Sequence, residues 1–167
     1  MTVIVTVISL ILDGILSKYI SLNSIFLPLF TIMSFILIYP FFNNEYRYLK
    51  YIAIIGLLYD IAYMNTILYS SFIFVILGVI ILFYFYFFSY NVKSIFLVSL
   101  ITIVFYRFIN YFLLFLFHLK NFSFSILFKS IYSSLLLNIL YCTLFYLIID
   151  YINKKRRKIN KSKNYII

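Results

Sequence analysis

Apolar runs of about 20 residues fill this 167-residue chain and leave only short polar breaks between them. A helix of about 20 residues is long enough to cross the hydrocarbon core of a bilayer. Hydrophobic residues make up 66% of the chain and charged residues 11%, whereas soluble domains carry roughly 45–50% and 25%. A water-soluble fold of this size could not bury so much apolar surface. The sequence therefore predicts an all-α, polytopic membrane protein.

The polar breaks divide the chain into six predicted transmembrane helices that form a bundle. In chain order these cover Thr2–Tyr19, Ser24–Phe42, Tyr51–Tyr63, Ile67–Phe88, Ser94–Phe117 and Phe124–Ile149. The most polar connection is Asn43–Lys50, and residues 151–167 carry a cluster of basic side chains. The predicted organisation is one six-helix transmembrane domain over residues 1–150 and a basic tail over residues 151–167.

Basic side chains indicate the orientation of these helices, because cytoplasmic connections are enriched in Lys and Arg. The tail and the connections on its side of the membrane carry ten basic residues: Arg47, Lys50, Lys93, Lys154, Lys155, Arg156, Arg157, Lys158, Lys161 and Lys163. The opposite side carries Lys18, Lys120 and Lys129. This bias predicts cytoplasmic N- and C-termini. Topology thus explains the net charge of +10 without nucleic acid, and the tail is a candidate site for anionic lipids.

Three charged residues lie inside the predicted helices: Asp13, Asp60 and Arg107. Intramembrane charge is costly and usually has a purpose. At a rise of about 1.5 Å per residue, all three lie at a similar depth, roughly 15–20 Å from the cytoplasmic side. We therefore predict that Arg107 neutralises at least one of the two carboxylates. The alternatives are a site for a partner or a lipid headgroup, and a path for protons or ions.

Two glycines accompany these carboxylates. Gly56 lies four residues before Asp60 on the same helix face and is predicted to let a neighbouring helix approach closely. Gly14 follows Asp13 and is predicted to loosen the first helix at that point. The sequence contains no metal-ligand cluster, nucleophile triad or phosphate-binding glycine loop. We therefore predict a protein that is not an enzyme and that uses no metal or cofactor.

Two of these motifs resemble those of a known family. The stretch Ile52–Ile81, with GLLYD at Gly56–Asp60, resembles the central region of the rod shape-determining protein MreD family. LDG at Leu12–Gly14, followed by Pro28 and a hydrophobic run, is similar to the start of that family. Recognisable motifs cover about residues 8–90, and the remainder of the chain matches by hydropathy, length and its short connections.

The resemblance implies a non-enzymatic component of the bacterial cell-elongation machinery in the cytoplasmic membrane. It implies a bitopic MreC-like partner and, through it, links to MreB filaments, RodA and a penicillin-binding protein in peptidoglycan synthesis. The family's fold is similar to the substrate-binding subunits of energy-coupling-factor vitamin transporters, which supply the alternative function. Such a subunit needs an outward-facing ligand pocket and a small-residue seam on helix one, but helix one here has no Ala and a single Gly, Gly14.

The charge bias predicts that reporter fusions at Ile167 and within Asn43–Lys50 lie in the cytoplasm, whereas fusions near Lys120 lie outside, because basic connections are retained inside. Paired fusions to alkaline phosphatase, which is active outside, and to green fluorescent protein, which fluoresces inside, measure this. An external C-terminus would contradict the six-helix arrangement.

Overall fold

The computed structural model describes residues 1–20, 28–64, 68–118 and 123–163. Over these residues the chain is helical and contains no strand, which confirms the all-α prediction. The six α-helices are α1 Thr2–Ile20, α2 Phe30–Ile38, α3 Glu45–Tyr59, α4 Tyr69–Phe87, α5 Val92–Leu116 and α6 Phe124–Lys163. A 3-10 turn over Tyr39–Phe41 extends α2, and a π-helical turn over Asp60–Met64 extends α3.

The distribution of polar side chains indicates a membrane protein. Three helices, α4, α5 and α6, are long and apolar enough to cross a membrane. Their outward faces carry exposed apolar side chains such as Phe83, Phe108 and Leu136, while buried Ser, Thr, Asn and Asp side chains lie between the helices. Apolar side chains suit contact with lipid, and polar side chains inside a bundle hydrogen-bond between and within helices.

Helix α2 forms the centre of the bundle. All nine of its residues are buried, and it packs against α1, α4, α5 and α6. Around it, α3 packs on α4, and α5 packs on α6. At about 1.5 Å per residue, α2 is only about 13 Å long, and it begins among the other helices. The first backbone N–H groups of α2 therefore need hydrogen-bond acceptors inside the bundle.

The predicted connection Asn43–Lys50 is wrong over most of its length, because α3 already begins at Glu45. The Asn44 side chain accepts a hydrogen bond from the N–H of Tyr46 at 2.8 Å, and Glu45 adds a favourable negative charge to the first turn. Similarly, Asn91 accepts a hydrogen bond from the N–H of Ser94 at 2.9 Å, so α5 begins two residues before the predicted start. These polar residues are helix caps.

Two further predicted ends differ from the structure. The second helix, predicted over Ser24–Phe42, begins at Phe30 after Pro28, and residues 24–27 lie outside the described part of the chain. Helix α6 continues beyond its predicted end into the tail, as far as Lys163. An ion pair one turn apart, Lys154 Nζ to Asp150 Oδ2 at 2.7 Å, is typical of such a helical continuation.

The connections between α2 and α3 and between α4 and α5 lie at the end of the bundle where the tail begins, which we call the tail end. The opposite end, where α1, α3 and α5 finish, is the far end. A cavity of about 250 Å³ at the tail end is lined by Pro40, Tyr90, Asp150 and Lys154, among others.

Helices α3 and α4 approach each other most closely at Gly56. A Cβ atom on Gly56 would overlap the backbone of Ser71 in α4. The Ser71 hydroxyl donates a hydrogen bond to the carbonyl oxygen of Ala53 at 2.9 Å, one turn before Gly56. The close approach predicted for Gly56 is therefore made by α4.

We expect Gly56→Ala to destabilise the bundle by about 1–3 kcal/mol, because α3 and α4 must move apart. Gly78→Ala is the matched control in α4. Its Cβ would meet side-chain atoms, the nearest being those of Leu49 and Ile52 at 2.9 and 3.0 Å, so a change within about 1 kcal/mol is expected. Thermal unfolding of the purified variants in detergent measures both. Equal stability of the two variants would contradict the backbone contact at Gly56.

Candidate functional site

Asp13 on α1 caps the N-terminus of α2. Its carboxylate is buried, with Oδ1 accepting the N–H of Phe30 and Oδ2 accepting the N–H of Thr31, both at 2.7 Å. The preceding N–H, that of Leu29, donates to Oδ1 of Asn138 on α6 at 2.7 Å. Side chains from two other helices thus satisfy three backbone donors at the start of α2. The carboxylate also lies at the positive end of the helix dipole, which stabilises its charge.

Asp60 has the same role at the N-terminus of α4. Its side chain is fully buried, and both carboxylate oxygens lie 3.0 Å from the backbone nitrogen of Ser70, which donates to them. Asp60 begins the π-helical turn that follows α3. Each of the two buried carboxylates therefore binds the first turn of the next helix along the chain.

The predicted ion pair between Arg107 and Asp13 or Asp60 is wrong. In the part of the chain that the structure describes, no ion pair joins Arg107 to Asp13 or Asp60, whereas Lys154 and Asp150 form one at the tail end. The physical reason is that a carboxylate at a buried helix start gains charge-assisted hydrogen bonds from N–H groups that otherwise lack acceptors. The partial positive charge of the helix end takes the place of the Arg107 side chain.

Arg107 on α5 contacts α6. Its Nε donates to the hydroxyl of Ser134 at 3.3 Å, and its guanidinium carbon lies 5.7 Å from the ring centre of Tyr106. One terminal guanidinium nitrogen is buried and finds no acceptor among the described residues. A charged residue at the centre of a membrane helix costs about 2.5–3.5 kcal/mol. Within the described part of the chain, Arg107 forms no ion pair with Asp13 or Asp60.

Gly14 does not loosen α1, contrary to the prediction, because α1 runs unbroken from Thr2 to Ile20. A Cβ atom on Gly14 would lie 2.5 Å from the hydroxyl oxygen of Tyr63. That hydroxyl donates to the carbonyl oxygen of Leu10 at 2.7 Å. Gly14, which has no side chain, therefore makes room for Tyr63. The Tyr63 hydroxyl then joins the π-helical turn to α1.

Sequence reasoning missed Asn138, whose amide is buried and binds the start of α2. A lone Asn in the middle of an apolar run was the available signal, since an amide inside a membrane helix usually hydrogen-bonds to a neighbouring helix. The hydroxyls of Ser9 and Tyr141 also join α1 to α6, with their oxygens 2.7 Å apart. These bonds add to a polar network around α2.

Comparisons of the chain with protein-family models, with curated proteins and with solved structures give no match. In the part of the chain that the structure describes, no group of three or more His, Cys, Asp and Glu side chains could hold a metal ion. The polar network holds helices together, and Arg107 keeps one buried guanidinium nitrogen without an acceptor among the described residues.

We expect Asp13→Leu to destabilise the bundle by about 2–6 kcal/mol, because two buried N–H groups each lose an acceptor at about 1–3 kcal/mol. Asp13→Asn keeps one acceptor oxygen and should lose less. Adding Arg107→Leu to Asp13→Leu should not restore stability, since the two charges are not paired. Thermal unfolding in detergent measures each variant.

Asp150→Leu is the control for this series, because it removes a partly exposed ion pair that is worth about 0–1 kcal/mol. Recovery of stability in the double variant of Asp13 and Arg107 would contradict the capping role and favour an ion pair.

Proposed function

We propose that this protein is a non-enzymatic component of the bacterial cell-elongation machinery, a membrane scaffold that binds an MreC-like bitopic protein. Through that partner it acts with MreB, RodA and a penicillin-binding protein. The observation that carries the proposal is the common role of the two motifs that resemble the MreD family. The aspartates of LDG and GLLYD, Asp13 and Asp60, each cap the N-terminus of the following helix.

A scaffold role is supported by how these carboxylates are used. Both oxygens of Asp13 accept backbone hydrogen bonds, and those of Asp60 lie against the start of α4. Both side chains are buried, whereas a catalytic carboxylate must reach its substrate. Their contribution is a rigid bundle, and a rigid bundle presents a constant surface to a partner.

The proposal includes six membrane-spanning segments with both termini in the cytoplasm of a bacterial cell. The ten basic residues on the tail side and the three on the opposite side support it. In this arrangement the tail end faces the cytoplasm, where the basic continuation of α6 lies next to anionic lipid headgroups and attracts them.

The alternative, a vitamin-transporter subunit, has less support. The outward face of α1 carries large aliphatic side chains: Val3, Ile4, Val7, Ile8, Ile11 and Ile15. Such a face differs from the small-residue seam that a coupling subunit would require. The cavity lined by Pro40, Tyr90 and Asp150 lies at the tail end, on the cytoplasmic side of the proposed topology.

Co-expression with the MreC-like protein of the same organism tests the proposal. We expect the two proteins to co-purify in mild detergent and depletion of this chain to turn rod-shaped cells round. A soluble periplasmic domain of the MreC-like protein, without its membrane helix, is the control for non-specific capture. Unchanged cell shape together with a tightly bound vitamin would overturn the proposal and establish the alternative.

A further inference from the structure

The positive charge of Arg107 is not neutralised by a carboxylate side chain of its own chain. The sequence contains four acidic residues. Asp13 and Asp60 cap α2 and α4, Glu45 is in the first turn of α3 at the tail end, and Asp150 pairs with Lys154 there. Two of the four acidic side chains are therefore hydrogen-bonded to helix starts, and the other two lie at the tail end, away from Arg107. An anion for Arg107 must come from outside the chain.

The depth of Arg107 restricts what this anion can be. Arg107 lies about 14 Å from the end of α5 at Leu116, and its hydrogen-bond partner Ser134 lies about 15 Å from the start of α6 at Phe124. The guanidinium is thus held deep in the bundle and does not extend towards the far end. Lipid phosphates lie beyond the hydrocarbon core, whose half-thickness is about 15 Å. A lipid headgroup therefore lies too far away.

The surroundings of Arg107 allow a helix to approach. Arg107 is half-buried, so part of this residue is exposed, although one of its terminal nitrogens is buried. On α6, Ser130 and Ser133 are also half-buried, and their hydroxyls donate to carbonyl oxygens within α6. Small side chains whose hydrogen bonds are already made let two membrane helices come close.

We propose that Arg107 is the docking point for an Asp or Glu carboxylate in the transmembrane helix of a partner protein. Guanidinium and carboxylate form strong, directional hydrogen bonds, above all where water is excluded. A second copy of this chain cannot supply the carboxylate, because Asp13 and Asp60 are buried in their capping positions. The partner is a different protein with an acidic residue near the middle of its membrane helix.

The test uses the full-length protein in phosphatidylcholine vesicles and a fluorescent transmembrane peptide of Leu and Ala with one central Asp. Energy transfer from a dye on a C-terminal tag reports association. We expect the Asp peptide to bind about tenfold more tightly than the same peptide with Leu in place of Asp. Moving the Asp two turns, about 11 Å, towards either end of the peptide should abolish the gain.

Two protein variants distinguish peptide binding by Arg107 from general attraction of the peptide to basic residues. Arg107→Leu should reduce binding of the Asp peptide to the level of the Leu peptide, whereas Lys129→Leu, which removes an exposed basic residue of α6 near the far end, should leave it unchanged. The depth series uses the unaltered protein, so the test remains decisive if Arg107→Leu fails to fold. Equal binding of the Asp and Leu peptides would overturn the proposal.

Anionic lipid provides the competing outcome. If phosphatidylglycerol in the vesicles lowers binding of the Asp peptide to the unaltered protein and has no effect on the Arg107→Leu variant, Arg107 binds lipid and the proposal is wrong. The inference rests on the proposed scaffold function only in supposing a membrane partner. If the Asp peptide does not bind preferentially, the docking role of Arg107 is wrong, but the protein can still co-purify with the MreC-like protein. If the two proteins do not co-purify, the scaffold function is wrong, but binding of the Asp peptide is unaffected.

Discussion

The backbone N–H groups at the start of α2 constrain the whole bundle. A helix that begins among apolar side chains presents donors that neither lipid nor hydrocarbon can satisfy. The side chains of Asp13 on α1 and Asn138 on α6 accept hydrogen bonds from these N–H groups. Both helices must therefore lie beside the first turn of α2, at a depth set by the positions of those two residues. Hydrogen bonding thus positions three helices in surroundings where apolar contact alone has little directional preference.

The same solution recurs at α4 with an added feature. Gly56 lets the backbone of α4 come against α3, and Asp60, one turn later, binds the first turn of α4. The π-helical turn that begins at Asp60 carries Tyr63, whose hydroxyl binds α1 beside Gly14. The end of α3 and the π-helical turn therefore join α3 to α4 and to α1. Gly56 leaves room for the backbone of α4, and Gly14 leaves room for the Tyr63 side chain.

These contacts divide the charged side chains inside the bundle into two groups. The carboxylates of Asp13 and Asp60 accept hydrogen bonds from helix starts within the chain. They stabilise the fold, and both side chains are buried away from the surface. Arg107 is held by Ser134 and keeps one nitrogen without an acceptor among the described residues. Among the described residues, the bundle thus combines buried carboxylates that are bound to helix starts with one half-buried arginine, Arg107. That combination is the basis of the proposed recognition of another membrane helix.

The sequence by itself determined the helical class, the membrane character and most helix ends to within a few residues, because a bilayer leaves the backbone few alternatives to helices. It misplaced the start of α3, because Asn44 is a polar cap that looks like part of a connection, and it ended α6 at Ile149, whereas that helix continues to Lys163. Only the tertiary structure decided what Asp13 and Asp60 bind. The positive charge of a helix end belongs to the backbone and does not appear in a count of charged side chains, and which end lies within reach depends on the packing of the helices.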